Sequence, residues 1–300
     1  MTTPQETVID NPNYRTILDH GFVGLIDFMG SDDSIVQAAR VSSGTGTKKV
    51  SADRGLIRYL LRHDHTTPFE MCEVKFHCKM PIFVARQWIR HRTASVNEYS
   101  ARYSIMSPDF YIPEREDLLQ QSSSNNQGRG GDELSQEDYD YYTEEMDNVY
   151  RRSYSLYEEM LNDSNVKDDD GLTIPNEDSK PMLARELSRM VLPVANYTEW
   201  YWKVNLHNLF HFLKLRLDPH AQKEIRVYAE AMYELIKPHF PIACEAFEDY
   251  KLNAISLSGM EVEIIRELLN NHDGFKDFEE FCEGLSKREI IELKAKFDVN

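Results

Sequence analysis

Hydrophobic and polar positions alternate most regularly over residues 72–80. Cys72, Val74, Phe76, Cys78 and Met80 share one face, and Glu73, Lys75, His77 and Lys79 share the other. This period of two predicts a strand with one covered face. The aromatic-rich stretch 196–204 predicts another strand, and a return strand is expected within 101–112. Elsewhere the period is helical. A helix is predicted at 33–41, with Ile35, Val36, Ala38 and Ala39 in helical spacing. A second is predicted at 51–63, where Ser51 is a candidate N-cap and Leu56, Ile57, Leu60 and Leu61 line one side. Pro68 disfavours helix at Thr67 and ends that run. Pro81 opens a short helix over 82–91. Further helices are expected at 138–161, 181–192, 205–217 and 221–236, with two or three short ones after about Val262. The polar stretches 121–135 and 162–180 predict loops, the first with the composition of a disordered one. The pattern defines an α+β fold, with helices packed on a small, mainly antiparallel sheet.

Charge refines this picture through its distribution. The 300 residues carry a formal net charge of −17, but residues 114–180 alone hold 19 acidic and six basic residues. Residues 1–113 are close to neutral, with 12 acidic and 13 basic residues. That placement favours small anionic ligands in a pocket over a long polyanion on a surface. No apolar run approaches the ~20 residues a membrane helix needs. The first residues lack the basic start and apolar stretch of a signal peptide, so a cytoplasmic protein is expected. Cys72, Cys78, Cys244 and Cys282 form no C-x-x-C pair and read as small buried hydrophobes.

Residues 90–102 read Arg-His-Arg-Thr-Ala-Ser-Val-Asn-Glu-Tyr-Ser-Ala-Arg. The run has too many donors and too few apolar anchors for a core element, and its guanidinium forks suit phosphates and carboxylates. Gln87 and Arg90 are i,i+3 neighbours on the predicted helix, and Ser100 and Arg102 share a face if that part is extended. A solvated charged run is the alternative. So is a nucleic-acid-binding module using Arg86, Arg90, Arg92 and Arg102, which would need a broad basic face and steep salt dependence. Asn205, His207, His211 and Arg216 fall on one predicted helix. His207 and His211 could hold a metal at i,i+4, but no further ligands have suitable spacing, which leaves satisfied helix histidines or donors to a cofactor. Arg189 and the polar turn 63–68 are further candidates. No G-x-G-x-x-G, P-loop or G-x-S-x-G is present. The residues alone reach an anion-binding pocket made from several segments.

These residues closely resemble the flavin-dependent thymidylate synthase (ThyX) family, whose hallmark is R-H-R-x-x-S-x-N-x-x-S-x-R. Arg90, His91, Arg92, Ser95, Asn97, Ser100 and Arg102 fill every fixed position. Family-like stretches flank it in order at 39–42, 65–70, 83–88, 189–193, 215–216 and 220–222. The resemblance covers about 13–120 and 181–250. It implies a ThyX-like catalytic domain at 1–251, with 114–180 as an acidic, partly disordered insert, and a helical C-terminal extension at 252–300. Both the insert and the extension depart from the family pattern and read as solvated decorations.

The resemblance further implies reductive methylation of dUMP to dTMP, with FAD as cofactor and methylenetetrahydrofolate and NADPH as co-substrates. It implies a homotetramer with active sites shared between subunits, and neither nucleic acid nor membrane as partner. Thr67, Arg90, His91, Arg92, Glu98, Asn205, Leu206, His207 and His211 would bind FAD, His211 standing where the family often has Asn. Gln87, Arg90, Glu98, Ser100, Ala101, Arg102, Arg189 and Arg216 would hold dUMP. His65 and Tyr103 would line the folate face, and Arg216, set against the uracil, would be the catalytic residue. No cysteine nucleophile is expected.

Overall fold

The computed structural model describes residues 11–41, 50–123, 128–163, 176–177, 179–270 and 284–297. Its chain divides into two compact units, Met1–Leu252 and Asn253–Asn300.

A five-stranded sheet organises the first unit. Its strands are β1 (Tyr14–Ile17), β2 (Gly21–Met29), β3 (Glu73–Pro81), β4 (Ser95–Glu98) and β7 (Tyr197–Asn205), in the order β1-β2-β3-β7-β4. Every pairing is antiparallel, as the α+β reading requires. The alternation over 72–80 becomes β3: Val74, Phe76, Cys78 and Met80 are fully buried. β3 runs in unbroken register with β7, from Glu73 opposite Asn205 to Pro81 opposite Tyr197.

Helices cover the inner face: α1 (Asp32–Val41), α2 (Val50–Arg62), α3 (Thr67–Glu70), α4 (Ile82–Trp88), α7 (Leu206–Arg216), α8 (Lys223–Ile236) and α9 (Pro241–Phe247). Trp88 sits at the centre, stacked on Phe212 at 4.9 Å and edge-on to Trp200 and Trp202 at 5.5 Å each. Burying one such side chain contributes about 1.5–3 kcal/mol. Trp88 thereby fixes the end of α4, where the arginine run begins.

Strands β1 and β2 carry no alternating pattern and went unpredicted. Gly21 and Gly24 explain this. A Cβ on Gly21 would collide with the Tyr228 hydroxyl, and one on Gly24 with the Tyr14 ring. These residues pack backbone against side chains on a strand covered over its first half. The arginine run is likewise not all loop: Ser95–Glu98 pairs with β7, Val96 opposite Trp202. The return strand expected within 101–112 is absent; the chain turns there and makes only a single bridge, Phe110 to Asn196.

The segment 114–180 is more than decoration. Where 121–135 was expected to be disordered, β5 (Leu119–Gln121) and β6 (Arg129–Glu133) form a two-stranded ribbon, although 124–127 lie outside the described residues. Helix α5 (Gln136–Leu161) is capped by the Ser135 hydroxyl, which accepts from Asp138 N at 3.0 Å. Its tyrosine stripe is partly covered: Tyr150 stacks on Phe110, and Tyr154 Oη donates to the Met106 carbonyl at 2.8 Å. Tyr157 and Leu161 pack with Ala101 and Met106. α5 therefore buttresses the chain just after the arginine run.

The helix expected at 181–192 shrinks to α6 (Arg185–Ser188) and a 3-10 turn, Arg189–Val191. Asn162 is the reason. Its side-chain amide donates to the Glu177 and Lys180 carbonyls, and Leu183 N donates to Met160 O, which holds 181–184 extended along the end of α5. Most of the loop expected at 162–180 lies outside the described residues.

The second unit contains α10 (Gly259–Asn270) and α11 (Lys287–Phe297); the span between them, including Cys282, lies outside the described residues. No helix among the described residues is long and apolar enough to cross a membrane.

Candidate active site

Two structural facts place the first half of the arginine run. α4 ends at Trp88, and a tight turn follows, with His91 N donating to Trp88 O at 2.9 Å. The turn carries the His91 ring against Phe212, at 4.9 Å, and 5.8 Å from His211. There Arg216, the last residue of α7, donates its Nε–H to His91 Nε2 at 3.2 Å. Burial, the Arg216 cation and His211 together push the His91 imidazole down to about 4. His91 is therefore neutral at pH 7, and as acceptor at Nε2 it carries its proton on Nδ1. Burial lowers the Arg216 guanidinium too, yet an arginine remains charged at any working pH.

Arg216 and Gln87 line one broad polar cavity of about 750 Å³, together with the N-terminal end of α8. The Gln87 amide donates to Gln222 Oε1 at 2.9 Å. A second, smaller cavity of about 170 Å³ is lined by His65, His207, His211, Lys214 and Lys251 over an apolar floor that includes Phe69 and Phe210. The predicted cofactor residues His207 and His211 thus meet His65, and the His91–His211 contact links this group to the Arg216 cavity. Asn205 caps α7, its side-chain oxygen accepting from Asn208 N at 2.9 Å. Thr67 is exposed at the start of α3, and Leu206 is fully buried, so its side chain belongs to the core.

The second half of the run goes elsewhere. Strand β4 carries the chain along β7, where Glu98 accepts from the Thr198 hydroxyl at 2.8 Å. Ser100–Tyr103 then form a turn in which Ser100 is half-buried, Ala101 buried and Arg102 and Tyr103 exposed, with the Arg102 guanidinium 5.2 Å over the Tyr103 ring. Arg185 donates to the Tyr103 carbonyl at 2.6 Å and brings the α6 segment, with exposed Arg189, to this turn. Gln87 and Arg216 thus line one cavity, with His91 and His211 close to Arg216, while Ser100–Tyr103 lie by the α6 segment and outside that lining. Among the described residues, Arg90, Arg92, Arg102 and Arg189 have no carboxylate partner, so these exposed cations are open to anionic ligands.

Sequence reasoning missed three contributors. Gln222 precedes α8 and orients Gln87. Asn208 accepts from the Thr93 hydroxyl at 2.7 Å and ties the run to α7; its i+3 spacing from Asn205 was the available signal. Arg129 lines the larger cavity from a segment read as disordered. The three described cysteines are poor nucleophiles: burial pushes the Cys72 thiol up to about 11, Cys244 to about 12 and Cys78 well above its usual value. The one cluster of three potential metal ligands among the described residues is Glu114, Glu116 and Asp117, apart from His207 and His211.

A neutral histidine holding an arginine beside a donor-lined cavity is the site of an enzyme that handles anionic, hydrogen-bonding substrates. A family model described as Thymidylate synthase complementing protein matches residues 24–242. A flavin-dependent thymidylate synthase from Ruegeria pomeroyi is 54% identical over 278 residues, covering 93% of this chain and 86% of that protein. Another, from Rickettsia typhi, is 51% identical over 296 residues, covering 97% of each. Among solved structures, the UMP/dUMP methylase PolB from Streptomyces cacaoi, bound with 5-Br UMP, superposes with a TM-score of 0.65 at 32% identity, covering 81% of this chain and 100% of that one. The chain belongs to the flavin-dependent thymidylate synthase family. The Rickettsia alignment runs through 114–180 and most of 252–300, so neither segment is an addition peculiar to this chain.

Proposed function

We propose that the protein is a cytoplasmic, FAD-dependent thymidylate synthase that methylates dUMP to dTMP with methylenetetrahydrofolate and NADPH. The observation that carries the reading is the Arg216–His91 contact at the edge of the Gln87 cavity. Nucleophilic addition at the pyrimidine moves negative charge toward N3 and the flanking carbonyls. A guanidinium already fixed by a neutral acceptor stabilises that charge without reorganising. Arg216 is the catalytic residue in this reading. Gln87, Arg90, Glu98, Ser100, Ala101, Arg102 and Arg189 bind and orient dUMP.

The residues fit FAD. Arg90 and Arg92 are exposed cations suited to a diphosphate, and the cavity of His65, His207 and His211 offers ring edges and donors over an apolar floor. Thr67, His91, Glu98 and Asn205 complete the proposed cofactor set, with the buried Leu206 supporting them from the core, and His65 and Tyr103 form the folate face. When bound, the flavin supplies the redox chemistry. Ser100–Arg102 are not among the residues lining the Gln87–Arg216 cavity, which favours sites assembled between subunits of a homotetramer.

The test is direct. Purified protein should take up FAD, show flavin absorbance and form dTMP from dUMP. A protein that takes up no FAD, or takes it up and forms no dTMP, sinks the reading.

A further inference from the structure

The ribbon β5–β6 lines the Gln87–Arg216 cavity through Leu119, Gln121 and Arg129. Its attachment is ionic, made by a partly exposed arginine to two buried carboxylates. Arg129 pairs with Glu224, which is 1% exposed, and reaches Asp117, 8% exposed, at 3.4 Å. Asp117 also takes Lys223 Nζ at 2.6 Å, and the Tyr111 hydroxyl donates to Glu224 at 3.1 Å. Burial alone would raise the Glu224 carboxyl, but the Arg129 cation and its hydrogen bond hold it below the usual range. Lys223 and Glu224 lie in the first turn of α8, one and two residues from Gln222, which orients Gln87. A buried carboxylate with a single guanidinium partner fixes that partner's position, because moving it away leaves an uncompensated charge.

We propose that the ribbon is a fixed wall of the nucleotide cavity, fastened by Arg129 through Glu224 and Asp117, and that Arg129 is thereby a positioning residue for dUMP. This rests on the reading of the Gln87–Arg216 cavity as the dUMP site. The wall keeps water from one side of that cavity and so strengthens the polar contacts within it. Because it touches no reacting atom, its loss weakens ground-state and transition-state binding alike.

The test uses FAD-loaded full-length protein. Arg129→Met would leave Glu224 buried and unpaired and could fail to fold, so the principal variant is Arg129→Met/Glu224→Gln, which removes both charges. A second variant, Gly130→Val, leaves the ion cluster intact: a Cβ there lies 3.1 and 3.2 Å from the Gln120 and Gln121 carbonyls and pushes the two strands apart. In folded variants the dUMP KM should rise roughly tenfold or more while kcat stays within about twofold, the signature of lost uniform binding. An unchanged KM, or a fall in kcat alone, overturns the proposal. Limited proteolysis of the ribbon then tells whether the wall or its fastening was misassigned. If the wild-type protein binds FAD but no dUMP, the cavity reading fails first and the wall with it.

Discussion

Arg216 donates to His91 across 3.2 Å, joining the last turn of α7 to the start of the arginine run. The histidine that the family resemblance assigned to FAD accepts, within this chain, from the guanidinium proposed as catalytic. Arg216→Ala should lower kcat at least roughly a hundredfold, the scale of losing one preorganised charge-stabilising group. FAD absorbance should persist. Near-normal turnover in the variant would remove Arg216 from the chemical step.

Burial of His91, with the Arg216 cation beside it, sets a pH dependence. His91 has its folded pKa, about 4, below the usual 6.5. A depressed histidine contributes stability that is present above its unfolded value and is lost as pH falls toward the folded one. Between about pH 6.5 and 4 the protein should therefore lose stability, by about 1 kcal/mol from this group once its partial exposure is discounted. His91→Asn should flatten that part of a Tm-against-pH curve; an identical curve would mean that another group is responsible.

Arg102→Ala should weaken dUMP binding roughly tenfold, since one charge-assisted contact contributes about 1.5–3 kcal/mol. Isothermal titration of the FAD-loaded protein measures this, and unchanged affinity would take Arg102 out of the phosphate site.

Trp88→Ala should cost about 3–5 kcal/mol in urea unfolding, because the indole is fully buried among Phe212, Trp200 and Trp202. The cavity would also loosen the end of α4. A loss below about 1 kcal/mol would mean that the core closes over the gap.

Cys244→Ala should retain kcat within about twofold, because a thiol held near pKa 12 supplies almost no thiolate at neutral pH. Loss of turnover in a variant that still melts cooperatively would restore a cysteine to the mechanism.

The sequence by itself determined the elements whose burial follows a local period. β3 shows every second side chain buried, and α1 and α2 cover most of the stripes that their spacing displayed, with Ile35, Val36, Ile57, Leu60 and Leu61 buried. It also determined the chemical character of 90–102, since the density of donors is a property of composition. What only the tertiary structure decided is whatever depends on contacts distant in the chain. β2 conceals its strand character because Gly21 and Gly24 pack against Tyr228 and Tyr14 instead of presenting alternating side chains. Strand β6 falls in the stretch 121–135, which has the composition of a disordered loop, and its Arg129 meets a buried glutamate 95 positions away. Arg216, which the family resemblance already marked as the catalyst, is held by a histidine 125 positions earlier, a contact no local pattern records. Periodicity reports which face of an element is covered; it carries no record of which residue covers it, and at this site that partner sets the charge, the tautomer and the position of the working groups.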